Sequence, residues 1–136
     1  AARLQGFPRL TADMDIAPAG DSVNLERLAA ALTRLGARVY TDGVPEGLVF
    51  DCSARTLARA AMWNLVTDAG RIDVAFTPSG TGGYDALSRG AAHFDVFGAT
   101  LEVASLADIM RSKEAADRPQ DRQDVVILRE MLRRRP

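Results

Sequence analysis

The chain has 136 residues, 47% apolar and 26% charged, with 17 basic and 18 acidic side chains and a formal net charge of −1. That length fits one compact domain of ordinary globular composition, and no apolar run approaches the ~20 residues of a membrane span. One cysteine (Cys52) excludes an internal disulfide, no Cys/His cluster exists for a structural zinc site, one histidine (His93) leaves almost no material for a His-based metal site or triad, and the charge balance argues against nucleic-acid binding by bulk charge alone.

The chain opens on Ala1 without a signal-peptide pattern, and Ala1 to Gly6 has the form of a last helical turn ending at a glycine. This start predicts a fragment, a processed product or a chain beginning inside an element. Phe7-Pro8 marks a turn. From Leu10 to Ala17 the residues alternate, with Leu10, Ala12, Met14 and Ile16 on one face and Thr11, Asp13 and Asp15 on the other, which predicts a strand. Asp21 or Ser22 is expected to cap a helix to about Leu35, with Leu25, Leu28, Ala29, Leu32 and Leu35 as its apolar stripe and Gly36 as its stop. A short strand is expected over Ala37 to Tyr40, and turns over Thr41 to Gly47. Ser53 caps a short helix to Arg59, and Ala61 to Thr67 and Arg71 to Phe76 form a hairpin through Asp68-Ala69-Gly70. Pro78 to Gly83 is a Gly-rich loop, followed by a short helix to Arg89. His93 to Phe97 and Ala99 to Val103 flank Gly98 as a second hairpin. Ser105 caps a helix to about Ala116, and Pro119 opens a last helix to about Leu132. The mixture predicts an α/β sandwich around one sheet.

The carboxylates carry the chemical signal. Asp13 and Asp15 project from one strand face about 7 Å apart, and Asp73 lies in a second strand, between Ile72 and Val74. Carboxylates on rigid strands suit magnesium, which takes one or two of them plus phosphate oxygens. A solvated strand face is the plain alternative for an Asp-x-Asp pair. Against it, like charges on neighbouring strands repel unless a cation compensates them. A second group comprises Lys113, Arg118, Asp121 and Asp124. Of the 17 basic residues 16 are arginine, so Lys113 is the only lysine, a compact charge suited to phosphate. Its alternative is a charged helix junction in which the aspartates cap or pair with Arg118 and Arg122.

Other features are weaker. Thr77 to Gly83 lacks the Lys-Ser/Thr of a P-loop and is an ordinary loop. His93 is expected to be structural, Cys52 to be buried or inert, and Trp63 with Met62 and Leu65 to be core. Arg129, Arg133, Arg134 and Arg135 suit RNA contact or a solvated helix end. Charge is also divided along the chain: residues 1–110 hold nine basic and 13 acidic groups (net −4), and 111–136 hold eight and five (net +3).

The stretch Arg9-Leu10-Thr11-Ala12-Asp13-Met14-Asp15-Ile16 resembles the first motif of the DNA polymerase β-like nucleotidyltransferase superfamily. The resemblance continues in order through Asn24 to Leu28, Asp68 to Val74, Gly82 to Leu87, Val103 to Ile109 and Ser112 to Asp124. These pieces are similar to the small bacterial branch related to AbiEii-type toxins. The resemblance implies an α/β (α+β) nucleotidyltransferase fold over 1–136, with a mixed central sheet flanked by helices and a C-terminal helical pair. It also implies a single domain that lacks the N-terminal helix and the Gly-Gly or Gly-Ser turn, which belong just before Ala1. By the same resemblance, Asp13 and Asp15 would bind two Mg2+ ions that bridge an NTP. Asp73 would hold the acceptor-side metal and help deprotonate the attacking hydroxyl. Lys113 would contact phosphate or base, supported by Arg118 and Asp121, with Arg9 and Thr11 as further nucleotide contacts. The implied reaction is transfer of an NMP to a hydroxyl of RNA (tRNA included), protein or a small molecule, with release of pyrophosphate. A cytoplasmic protein with a cognate antitoxin and no membrane association is the corresponding expectation. A degenerate nucleotide-binding or regulatory module and a structural interaction domain are the competing readings.

Overall fold

The structure, a computed structural model, describes residues 1–134, and these fall into two compact units. One unit is residues 11–76 and is built on a sheet. Its strands are β1 (Asp13–Ile16), β2 (Arg38–Thr41), β3 (Val44–Leu48), β4 (Met62–Thr67) and β5 (Gly70–Ala75); its helices are α1 (Ser22–Arg34) and α2 (Ala54–Leu57). The strand order is β1-β5-β4-β2-β3, with β1 parallel to β5 and the other pairs antiparallel. The protein is thus mixed α and β, as the alternation and capping patterns predict, and this unit's sheet is five-stranded and mixed.

The capping expectations for this unit hold. The Asp21 carboxylate accepts from the backbone N–H of Asn24 at 3.0 Å, and the Ser53 hydroxyl accepts from that of Thr56, each satisfying a donor with no helical partner. The α1 stripe of Leu25, Ala29 and Leu32 packs with Leu57, Leu65, Ile72 and Val74 into one buried cluster. Strand alternation fixes which sheet face this is: Leu65, Ile72 and Val74 point into the core, so Asp13, Asp15, Arg71 and Asp73 stand on the opposite face. Trp63 joins the core's edge, stacked on Phe50 and donating its indole N–H to Leu57 O. The Cys52 thiol lies 3.8 Å from Ala29 O, and burial pushes its pKa up.

Two expectations fail in this unit. The segment Thr41 to Gly47 is not all turn, because β3 pairs with β2 across it. β3 is the outer strand, so Pro45 removes no donor that an inner ladder would need. Gly47 is required there: its φ is +83°, and a Cβ would lie 2.5 Å from Val66 Cγ1. The first strand is also shorter than its alternation, Asp13–Ile16 rather than Leu10 to Ala17.

The other unit comprises residues 1–10 and the chain from 77 onward. It holds a short 3-10 turn (Ala2–Gln5), α3 (Tyr84–Ser88), β6 (Ala92–Val96), β7 (Ala99–Val103), α4 (Leu106–Ala116) and α5 (Pro119–Arg133). Gly6 ends the first turn at φ +94°, as its sequence predicts. Ser105 caps α4, and Pro119 opens α5. Phe7, Leu106 and Leu128 form the buried centre, with Ile109, Met110, Met131 and Leu132 packed around it, so α4 and α5 are the expected helical pair. The single-sheet expectation fails here, since β6 and β7 pair only with each other as a separate two-stranded sheet. Their connection, Phe97-Gly98, has both residues at positive φ, a hairpin geometry that local alternation reveals but sheet membership does not. Among the described residues no helix is long and apolar enough to cross a membrane.

Candidate functional site

The β1–β5 ladder aligns the predicted acidic residues. Asp15 and Asp73 are direct partners in the parallel register, and Asp13, two residues before Asp15, is the partner of Arg71. Neighbouring strands lie about 4.8 Å apart and alternate residues about 7 Å apart, so the three carboxylates occupy one small patch of one sheet face. The cause is sequence: two strands with aspartates in phase on their polar sides, and apolar neighbours that lock the register. Asn64 of β4 is the ladder partner of Asp73 on its other side. A shallow recess at the N-terminal ends of β1 and β5 is lined by Thr11, Asp13 and Arg71 and, from the core side of the sheet, by Met14, Leu35 and Ile72; Asp15 and Asp73 do not line it. It therefore brings the predicted Thr11 beside Asp13.

The donor set suits Mg2+. Carboxylate oxygens are hard ligands, and two of the three groups sit directly opposite each other. Among the described residues no three His, Cys, Asp or Glu side chains form a ready cage. Mg2+ ordinarily takes one or two carboxylates and completes its shell with phosphate oxygens and water, so a preformed cage is not what the ion requires.

The Lys113 group is built differently, within the unit that holds the chain from 77 onward. Asp121 and Asp124, one turn apart on α5, are each 2% exposed. Lys113 Nζ lies 2.9 Å from Asp121 Oδ1 and 2.8 Å from Asp124 Oδ2. Arg118 Nε donates to Asp121 Oδ2 at 2.6 Å, and Arg9 Nη2 makes a charge contact with Asp124 Oδ1 at 2.5 Å. The result is an alternating row, Arg118–Asp121–Lys113–Asp124–Arg9. Burial pushes the Asp121 carboxyl up, but the hydrogen bonds from Lys113 and Arg118 outweigh it and hold the group below its ordinary value. Burial likewise pushes Lys113 down, and the hydrogen bonds to Asp124 and Asp121 reverse this and raise it. Lys113 is therefore a charged residue shared by two buried carboxylates. The charged helix junction, the plain alternative in the sequence, is part of what the structure shows, with Lys113 rather than Arg122 as its centre. Arg122 pairs instead with exposed Asp117.

The minor candidates resolve simply. His93 is exposed on β6, opposite Glu102. Arg129 pairs with Glu114 and Arg134 with Glu130, while Arg135 lies outside the described residues. Two residues that sequence reasoning missed adjoin the carboxylate patch. The Arg71 guanidinium carbon sits 3.8 Å from the centroid of the Tyr40 ring. Period two already placed Arg71 in phase with Asp73, but its pairing with Asp13 and its reach to β2 depend on strand order. The chain matches no protein-family model and no curated protein.

Proposed function

We propose that the protein is a metal-dependent nucleotidyltransferase that moves an NMP from an NTP to an acceptor hydroxyl and releases pyrophosphate. The observation that carries this reading is the register that sets Asp15 opposite Asp73 with Asp13 on the same sheet face. The sequence resemblance to the polymerase β-like superfamily supports it. Magnesium bound by these carboxylates would supply charge for the triphosphate and for the attacking and leaving oxygens. The chain's own part is positional. Asp13 and Asp15 hold one side of the site from β1. Asp73, on β5, faces the acceptor and takes up the proton of its hydroxyl. Thr11 lines the recess beside Asp13. Fixed strands keep the three groups in place without reorganisation during the reaction.

One observation favours a second reading, a nucleotide-binding module without catalysis: Lys113 is already engaged by two buried carboxylates. Labelled-NTP transfer to a total RNA pool separates the two. Transfer that needs Mg2+ and disappears in Asp13→Ala supports the enzyme. Mg2+-dependent NTP binding without transfer to RNA, protein or a small hydroxyl acceptor supports the module. Folded protein that binds no NTP with Mg2+ present overturns both.

A further inference from the structure

Arg71 is a cation placed next to three carboxylates. It is the ladder partner of Asp13 and stands two residues before Asp73 on the same face. Its guanidinium lies over the ring of Tyr40, on β2, with β4 between their two strands. Its Nε is buried and donates no hydrogen bond among the described residues. Arg38, on the same side of β2 as Tyr40, is engaged elsewhere, donating from Nε to Glu46 O and pairing with Asp68. The sheet face thus has an acidic half on β1 and β5 and a cationic, aromatic half toward β2.

A guanidinium stacked on an aromatic ring is held by its flat face. Its N–H donors lie in the plane, along the edge, in the fork that matches two phosphate oxygens. Stacking removes much of the rotamer freedom that binding would otherwise cost. Arg71 and Asp13 also both line the shallow recess at the strand ends, together with Thr11.

We propose that Arg71, clamped on Tyr40, is a phosphate-binding residue serving the Asp13–Asp15–Asp73 face. Tyr40 is its positioning residue. The inference deepens the nucleotidyltransferase reading, but its phosphate site can be tested apart from it. The phosphate belongs either to the NTP or to the acceptor.

The first experiment uses the full chain, inorganic pyrophosphate and no magnesium, and follows arginine Nε–H signals by NMR, with Arg71 assigned through Arg71→Lys. Pyrophosphate is expected to shift the Arg71 signal. Arg71→Lys and Tyr40→Leu should weaken pyrophosphate binding about tenfold, a loss of about 1.4 kcal/mol, and Tyr40→Phe should bind as wild type because the ring is kept. An unmoved Arg71 signal overturns the proposal. So does Tyr40→Phe behaving as Tyr40→Leu, or folded Arg71→Lys binding as wild type. If Arg71 responds while the protein binds no NTP with Mg2+, the phosphate site stands and the nucleotidyltransferase reading falls. In the transfer assay, a raised KM for NTP alone in Arg71→Lys assigns the phosphate to the triphosphate, and a raised KM for RNA alone assigns it to the acceptor.

Discussion

The protein contains two groups of aspartates that solve opposite problems. Asp121 and Asp124 are buried on α5 and carry their compensation with them: Lys113 between them, Arg118 and Arg9 at the ends. Asp13, Asp15 and Asp73 stand on a sheet face where the register sets two carboxylates directly across from each other. Like charges on neighbouring strands weaken a sheet unless they are compensated, whereas the buried α5 carboxylates meet partly exposed cations from α4, the α4–α5 link and the N-terminal segment. The difference separates buried carboxylates paired across a helix junction from carboxylates set side by side on two strands. It also shows why residue type alone is a poor guide. Both groups read in sequence as candidate site residues, and the distinction comes from burial and from the position of each side chain in the fold.

The largest expected effect comes from breaking the buried row. Lys113→Met removes the shared cation and leaves two carboxylates, each 2% exposed, with one end partner apiece. Removing one side of a buried pair costs roughly 3–5 kcal/mol. About 3 kcal/mol is expected here, because Arg118 and Arg9 remain and Lys113 keeps part of its side chain in water. Urea unfolding measures it, and a loss below about 1 kcal/mol would show that the row behaves like surface ion pairs. If Lys113 serves nucleotide binding beyond this structural role, a folded Lys113→Arg variant, which keeps the charge, should still lose NTP affinity.

The opposite behaviour is expected on the sheet face. There stabilisation should come from added ligand: NTP with Mg2+ at 100 times its Kd raises stability by about 2.7 kcal/mol, read as a rise in Tm. Asp13→Ala should abolish the rise while leaving the unliganded Tm near that of wild type, because Asp13 lies outside the buried clusters. A Tm rise that survives in Asp13→Ala would place the ligand elsewhere.

These two experiments mark where sequence was sufficient. The caps at Asp21, Ser53 and Ser105, the α1 stripe and both hairpins were legible because they depend on neighbours a few residues away. The in-phase aspartates were legible for the same reason. β3 was not, because Pro45 and Gly47 signal a turn unless the strand is known to lie at the sheet's edge. Arg71's place over Tyr40 was hidden because it needs the order β5-β4-β2. The Arg9–Asp124 contact joins residues 115 positions apart, and no local pattern encodes it.

A smaller effect is expected from pH. Asp121 is held below its ordinary value of 3.8, so its contribution is present above that pH and is lost as pH falls through the lower folded value. Lys113 is raised above 10.5, so its contribution is full below that pH and is lost as pH rises through the higher folded value. Stability from this row should therefore be flat between these limits and fall at both ends. Asp121→Asn should flatten the acid limb and Lys113→Met the alkaline limb, as measured by urea midpoints across pH. An unchanged acid limb in Asp121→Asn would transfer that dependence to other carboxylates.

The smallest effect isolates burial as the variable. Arg122 and Asp117 make a two-bond pair, with Nε to Oδ1 at 2.7 Å and Nη2 to Oδ2 at 3.0 Å. Its geometry is as good as any in the buried row, and the hydrogen bonds to Arg122 hold the Asp117 carboxyl below its ordinary value. Both side chains are nevertheless exposed, 68% and 63%, so water takes up either charge when the other is removed. Arg122→Ala should leave Tm unchanged within error at physiological salt, while Lys113→Met lowers it by many degrees. If the two substitutions cost the same, bond geometry rather than desolvation sets the strength of these pairs, and the contrast between the α5 aspartates and those on the sheet loses its physical basis.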